Sequence, residues 1–409
     1  MRQAGPKLHP LHRAWQLLPQ GPRRWAFARA TELLAPRADR RPAPARGGVA
    51  VGGEISSHSG LGMGARLMLA ALAQQGIPTW ALDIGDRLPG STRLPRAEIP
   101  PQGVPLVLHV NAPHMPWALL RQQRRLLAGR RVIGYWAWEL PSVPPTWRAG
   151  LRHVHEVWVP SRFTADAIAT MLPPGIPLRV VPHPVAAAPP QPSALGRADF
   201  GLAEGVVAVR CSFNLASSMV RKNPLAAIAA FRAAFADRAD RLLVLKVGNA
   251  HHFPADMAEI RAACAGATNI RIDTQPMPLA DSHALTAAAD IVLSLHRSEG
   301  FGLVPAEAML LGRAVVATGW SGNMDFMDET SAALAAYTLI PARDPRGVLE
   351  APGAVWAEPD IESAAGHLRR LADDPAGRAA MAARGQAMAR ARLGAAPLLE
   401  AVAALGIAV

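Results

Sequence analysis

Short apolar runs recur along the chain, each followed by a polar or glycine-bearing loop and then a stretch with helical spacing. In the first half, "GGVAVGG", "PTWALDI", "VPLVLHV", "RVIGYW", "EVWVP" and "LRVVP" read as strands. Between them, "ARLMLAALAQQG" with its Gly76 stop, "WALLRQQRRLLAG", and "RFTADAIATML" behind a Ser161 N-cap read as helices. In the second half, "VVAVRCSF", "RLLVLKV", "IRI", "DIVLSL" and "AVVAT" alternate with the helical "NPLAAIAAFRAAF", "ADMAEIRAACAG" and "LADSHALTAAA". From about Pro359 the chain is helical and rich in Ala and Arg. Strands alternating with helices of about 10–15 residues predict parallel sheets built from β-α-β units.

The alternation breaks once, at the Pro- and Ala-rich "HPVAAAPPQPSALG" that starts at His183. A chain of 409 residues is comfortable as two domains of about 200 residues. The expected organisation is a basic N-terminal extension (1–46), an N-terminal Rossmann-like domain (47–185), a linker (186–200), a C-terminal Rossmann-like domain (201–385), and a C-terminal helix (386–409) that could pack back on the first domain. The fold class is α/β, with two Rossmann-like domains whose parallel sheets face a central cleft.

Composition narrows the classes. Half the residues are apolar and 18% are charged, so a sizeable core can form. No stretch approaches the ~18 uninterrupted apolar residues of a membrane span, and the start has no apolar signal core. Cys211 and Cys264 are the only cysteines, which gives no disulfide framework or zinc spacing and fits a cytoplasmic protein. The formal net charge is +12. Coding bias is one source, because Lys7, Lys222 and Lys246 are the only lysines and every other cation is Arg. Attraction to anionic lipid is another, through the basic start that includes Arg2, Arg13, Arg23, Arg24 and Arg29. Nucleic acid is the weakest partner, because no zinc-finger spacing or aromatic stacking motif accompanies the charge.

The densest chemistry lies in "HRSEGFGLVPAEAMLLGRAVVATGWSGNMDF", His296 to Phe326. It parses as loop, helix and strand after "DIVLSL", with Pro305 expected at the first helical position and Gly312 at the end. Ligands of open parallel sheets bind beyond the carboxyl ends of the strands, where this loop lies. Gly300 and Gly302 permit a tight turn and close backbone approach, and the amides of Gly300, Phe301, Gly302 and Leu303 would face phosphate or sugar oxygens at a helix start. Glu299 on the loop can accept from sugar hydroxyls. Glu307, expected in the first helical turn, can accept both donors of a ribose diol. The alternative for a first-turn Glu is that it only complements the helix dipole.

"SEGFGLVPAEAMLLGRAVVAT" resembles the Glu-x7-Glu signature of retaining glycosyltransferases with the GT-B fold, in the large family 4. "GWSGNMDFM" stands where that family has a Gly-Gly-x-x-Glu segment, and a weaker resemblance runs from Gly48 to Asp374. The resemblance implies a nucleotide-sugar donor held mainly by the C-terminal domain, transfer with retained anomeric configuration, and no bound metal or other cofactor. It also implies that Arg221 and Lys222, in "FNLASSMVRKNPLAAIAAF", hold the donor diphosphate. The family's upstream Gly-Arg-Leu turn is replaced here by "FNL".

"SHSGLGMGARL" resembles the fold's N-domain glycine loop, which makes Gly62 a donor-side candidate; without Lys-Ser/Thr it is no P-loop. "VLHVNAPHMP" offers His109 or His114 for the donor sugar, and Asn111 for the acceptor side. "GYWAWELPSVPPTW" offers Glu139 and Trp138 to an acceptor, with core filling as the alternative for the tryptophans. Lys246 ends a strand toward the donor. The reading is a glycosyltransferase with Glu299, Lys222 and His109 at the reacting centre, acting on a glycan or lipid-linked acceptor in bacterial polysaccharide synthesis. It would work in the cytoplasm, at the inner face of an anionic membrane. The alternatives are a nucleotide-sugar epimerase on the same fold, or a non-catalytic basic protein that binds membrane or nucleic acid.

Overall fold

The computed structural model describes residues 20–57, 59–84, 99–122 and 124–409. Two six-stranded sheets, parallel throughout, carry the chain. The first contains β1 (Val49–Gly53), β2 (Thr79–Asp83), β3 (Leu106–His109), β4 (Val132–Tyr135), β5 (Glu156–Val159) and β6 (Leu178–Val180), in the order β2-β1-β3-β4-β5-β6. The second contains β7 (Val207–Asn214), β8 (Arg241–Gly248), β9 (Ile270–Asp273), β10 (Ile291–Ser294), β11 (Ala314–Thr318) and β12 (Ala333–Ala335), in the order β12-β11-β10-β7-β8-β9. The strands are almost continuously apolar because helices cover both faces. An antiparallel hairpin, β13 (Tyr337–Pro341) with β14 (Val355–Pro359), was not expected from the sequence.

Strand order places the site. From β7 the second sheet grows through β8 and β9 to one side, and then resumes at β10 on the other side of β7. The loops leaving β7 and β10 therefore diverge at a topological switch point, where open α/β sheets bind ligands. One loop carries Arg221 and Lys222, the other Glu299.

Two terminal segments return to the first sheet. The helix Ala396–Ala403 buries Leu398, Ala401 and Val402 against Val49, Val51, Val107 and Ile133. Each large side chain so buried contributes about 1.5–3 kcal/mol. At the other end, the helix Gln20–Leu34 lies beside Met115–Leu120, with the rings of Phe27 and Trp117 5.1 Å apart. The strap after it is tied down by Ala43 N–H to the Gly129 carbonyl (3.2 Å) and Arg46 N–H to the Gly103 carbonyl (3.0 Å). The described part of the basic extension is thus docked on the first domain. The helix expected over "WALLRQQRRLLAG" is shorter, ending at Leu120. Among the described residues, no helix is long and apolar enough to cross a membrane.

Candidate active site

Local sequence builds each half of the site. After β7, Asn214 accepts the Ala216 amide at 2.9 Å and turns the chain. Ser218, held at φ 71°, accepts the Arg221 amide at 3.4 Å and starts the short helix Met219–Lys222. Asn223, left-handed at φ 50°, ends it, and Pro224 opens the next helix. A non-glycine residue in this region costs about 1–2 kcal/mol, so two within one turn mark an imposed geometry. The two loops are then stitched together: the Arg297 amide donates to the Arg221 carbonyl (2.8 Å) and the Arg297 guanidinium to the Val220 carbonyl (2.8 Å).

Glu299 sits at the junction. Lys222 Nζ bonds its Oε1, and Arg221 Nη1 stands 3.1 Å from its Oε2. Arg221 also donates to the carbonyls of Ser298 (2.9 Å) and Ser217 (3.0 Å). Burial alone would raise the Glu299 pKa, but the charges of Lys222 and Arg221 outweigh it and bring the carboxyl down to about 2. Burial lowers the Lys222 pKa, against the pull of Glu299. The Glu299 amide donates to Ser321 Oγ at 2.9 Å, with Ser321 itself at φ 81°. Among the described residues, the amides of Gly300, Phe301 and Gly302 have no acceptor.

The first domain closes over this loop. Ser161 Oγ donates to the Gly300 carbonyl at 2.6 Å and Thr164 Oγ1 to the same oxygen at 3.3 Å. Ser298 Oγ bonds the Glu139 carbonyl. A Cβ on Gly300 would lie 2.9 Å from the Trp138 carbonyl oxygen, so this glycine is required by the opposing domain as much as by any ligand. Glu139 Oε1 comes within 3.9 Å of Arg221 Nη2. Burial, reinforced by the charge of Glu299, raises the Glu139 pKa despite Arg221 and Lys222. The cluster thus holds two cations and two carboxylates, one carboxylate from each domain.

Several sequence expectations are corrected. The helix Leu303–Leu310 starts behind left-handed Gly302 (φ 101°), so Pro305 is its third residue and Glu307 lies in its second turn. Proline is tolerated there because the first four helical amides lack intrahelical acceptors. Glu307 faces His283 Nε2 at 3.9 Å. His109 is 1% exposed and stacked on Tyr135 at 4.2 Å, and neither ring nitrogen has a partner among the described residues. Burial, then the charge of His183, drives its pKa well below the usual imidazole value. It therefore presents no atom to a substrate in this arrangement, whereas His114 is exposed.

Trp138 is core: its Nε1 donates to the Ser142 carbonyl (2.7 Å) and its ring meets Trp147 edge-on at 5.0 Å. Asn111 Oδ1 accepts the Ala137 amide at 2.9 Å and so holds the loop after β4. Gly62 makes room for its own domain, since a Cβ would lie 2.4 Å from the Glu54 carbonyl oxygen. Lys246 is occupied by Asp273 (3.0 Å) and by the Gln275 carbonyl. The Phe301 ring packs between His183 and Phe326, which leaves only its amide to a ligand.

Sequence reasoning missed a buried support. His296 bonds Ser294 Oγ (3.0 Å) and Asn323 Oδ1 (3.0 Å), and Asn323 Nδ2 donates to the Thr318 carbonyl (3.1 Å). This ties the Ser321 turn to the end of β10. The one signal in the chain was a histidine directly after a buried strand.

The sequence profile described as glycosyl transferases group 1 matches residues 213–357, which hold Arg221, Lys222, Glu299 and Glu307. Among curated proteins no sequence match is found. Solved structures resemble most of the chain. Anabaena HepE in complex with UDP and glucose is 14% identical, with 87% of this chain and 98% of that chain covered and a TM-score of 0.58. Sucrose-phosphate synthase from Thermosynechococcus elongatus is 16% identical over 87% and 98%, with a TM-score of 0.60. A glycosyltransferase from Rickettsia africae is 11% identical over 88% and 97%, with a TM-score of 0.61. The fold is GT-B, with two Rossmann-like domains. The stretch that matches the glycosyl transferases group 1 model lies in the second domain and spans β7 to β14.

Proposed function

We propose that this enzyme moves a sugar from a nucleotide-diphosphate sugar to a glycan or lipid-linked acceptor, with retention of anomeric configuration. The observation that carries the reading is the Lys222–Glu299 pair beside unpartnered loop amides at the switch point. The donor diphosphate takes the place next to Lys222, within reach of the amides of Gly300–Leu303, which stabilise charge as the sugar–phosphate bond breaks. The bonding pair leaves on the phosphate oxygen. The acceptor oxygen attacks C1 from the same face, and its proton passes to that departing oxygen. Glu299, ionised throughout the working range, accepts from sugar hydroxyls and orients the ring. Arg221 holds Glu299 and the loop from beneath, and Glu307 binds the ribose. No metal is part of this reading.

UDP is the first nucleotide to test, because it is bound in HepE. The proposed setting is bacterial surface-glycan synthesis in the cytoplasm, at an anionic membrane face. Exposed Phe27, Leu33, Leu34 and Trp117 on the docked N-terminal helix and its neighbour support the membrane part. A thermal-shift panel of UDP, GDP, ADP and CDP without divalent metal tests the donor site. One nucleotide should stabilise the protein, by about 2.7 kcal/mol at a hundredfold excess over Kd, and Lys222→Ala should abolish the shift. No shift with any of the four would overturn the donor assignment. Product anomeric configuration by NMR, from a donor of known anomer, tests retention.

A further inference from the structure

We infer that His283 is a positioning residue for the Glu307 carboxylate, and that the segment joining the two domains sets its tautomer; this rests on the reading of Glu307 as the ribose-binding group. His283 lies on the helix Leu279–Ala288, next to the helix that bears Glu307, and is 7% exposed. Its Nδ1 accepts the backbone N–H of Gln191 at 3.1 Å. An amide hydrogen can be donated only to a bare ring nitrogen, so the neutral ring carries its proton on Nε2. The Gln191 carbonyl, 3.3 Å from the same Nδ1, would favour the other tautomer if the amide were lost.

Nε2 is shielded from solvent and has no hydrogen-bond partner among the described residues. It faces Glu307 Oε1 at 3.9 Å. A shielded N–H that no neighbour accepts is costly, and the carboxylate is the group that relieves it. A small side-chain rotation closes the gap and fixes one oxygen of Glu307, leaving the other for a sugar hydroxyl. His283 Nε2 is too enclosed to touch the ribose itself, so its effect passes through Glu307. The Gln191 amide is not free to drift, because Ser193 N–H donates to the Ala280 carbonyl on the same helix at 3.0 Å. The linker between the domains is thereby wired to the donor site.

The test compares affinity for a nucleoside diphosphate and its 2′,3′-dideoxy analogue by calorimetry, in the full chain. The wild type should prefer the ribose form by about tenfold or more. His283→Leu, which keeps volume but removes Nε2–H, should lose most of that preference without weakening the dideoxy form. His283→Gln should restore part of it. Gln191→Pro, which removes the backbone amide donor together with the exposed side-chain bond to the Pro189 carbonyl, should behave like His283→Leu, and these last two variants carry the test if His283→Leu does not fold. An unchanged preference in folded His283→Leu, or in His283→Gln together with Gln191→Pro, overturns the proposal. A wild type that binds both forms equally overturns Glu307 as the ribose group and this proposal with it, whereas a wild type that binds neither overturns the donor site as a whole.

Discussion

Arg221 stands 3.1 Å from Glu299 with its side chain 4% exposed, while Lys222, the next residue, holds the other oxygen of the same carboxylate with its side chain 21% exposed. Neighbours in sequence therefore have separable jobs. The buried cation fixes the carboxylate and two backbone carbonyls, and the half-buried one remains available to a ligand.

The first prediction follows from that division. Arg221→Ala removes the partner of one Glu299 oxygen and of the carbonyls of Ser217 and Ser298, so it should cost about 3–5 kcal/mol of stability. Lys222→Ala, which gives up a partner of Glu299 but frees no backbone carbonyl, should lose less stability than Arg221→Ala yet about 10²–10³ in kcat, as removal of a charge-stabilising donor does. Calorimetric melting and steady-state kinetics on both variants check it. Equal melting losses would show that the two cations are not divided in this way.

Glu299 also predicts a pH dependence. Its folded pKa of about 2 lies below the ordinary carboxyl value, so the stability it contributes is complete above about pH 4.5 and is lost as pH falls toward 2. The size is about 3 kcal/mol at neutral pH. Urea titrations of the wild type and Glu299→Gln between pH 7 and 2.5 isolate it. The gap between the two should close as pH falls; a constant gap would mean that the carboxylate charge is not what holds the loop.

Glu139 has the opposite sign. Its surroundings raise its pKa, so its ionised form is disfavoured in the folded state and weakens stability above the ordinary carboxyl range. Glu139→Gln should leave stability at pH 7 unchanged or higher. It also removes a negative charge near Arg221 and Lys222, so nucleoside diphosphate should bind about two- to tenfold more tightly. Calorimetric titration measures this directly. Weaker binding would show that Glu139 contacts the donor, and unchanged transfer kinetics would remove it from the acceptor side.

The β-α-β frame was legible because parallel strands covered on both faces must be apolar throughout. The same pattern placed Lys222 and Glu299 on loops after strands. The hairpin was not legible, since Tyr337 and Leu339 are exposed and its strands are joined by a Pro- and Arg-bearing loop that gives no hairpin turn signal. Gly300 shows a deeper limit. One letter can mean room for a ligand or room for the opposing domain, and only the position of Trp138 separates them. Lys246 shows a related limit: a strand-end lysine looks alike whether it faces a ligand or the Asp273 beside it. Pairing across sequence distance leaves no local trace.

His109 tests the largest of these corrections. Its neutral ring is stacked on Tyr135 and both nitrogens lack partners among the described residues, so an apolar ring of similar shape removes a cost rather than an interaction. His109→Phe should match or exceed wild-type stability at pH 7.5. Because the folded pKa lies well below 6.5, the unfolded chain takes up a proton first as pH falls, and the wild type loses stability below about pH 6.5. The variant should lack that part of the slope, so its advantage should grow at pH 5.5. In the reaction, kcat should stay within about threefold of the wild type, a change of under 1 kcal/mol in the barrier. A loss of a hundredfold or more in a well-folded His109→Phe would instead show that the domains part widely enough during turnover to bring this ring onto the donor.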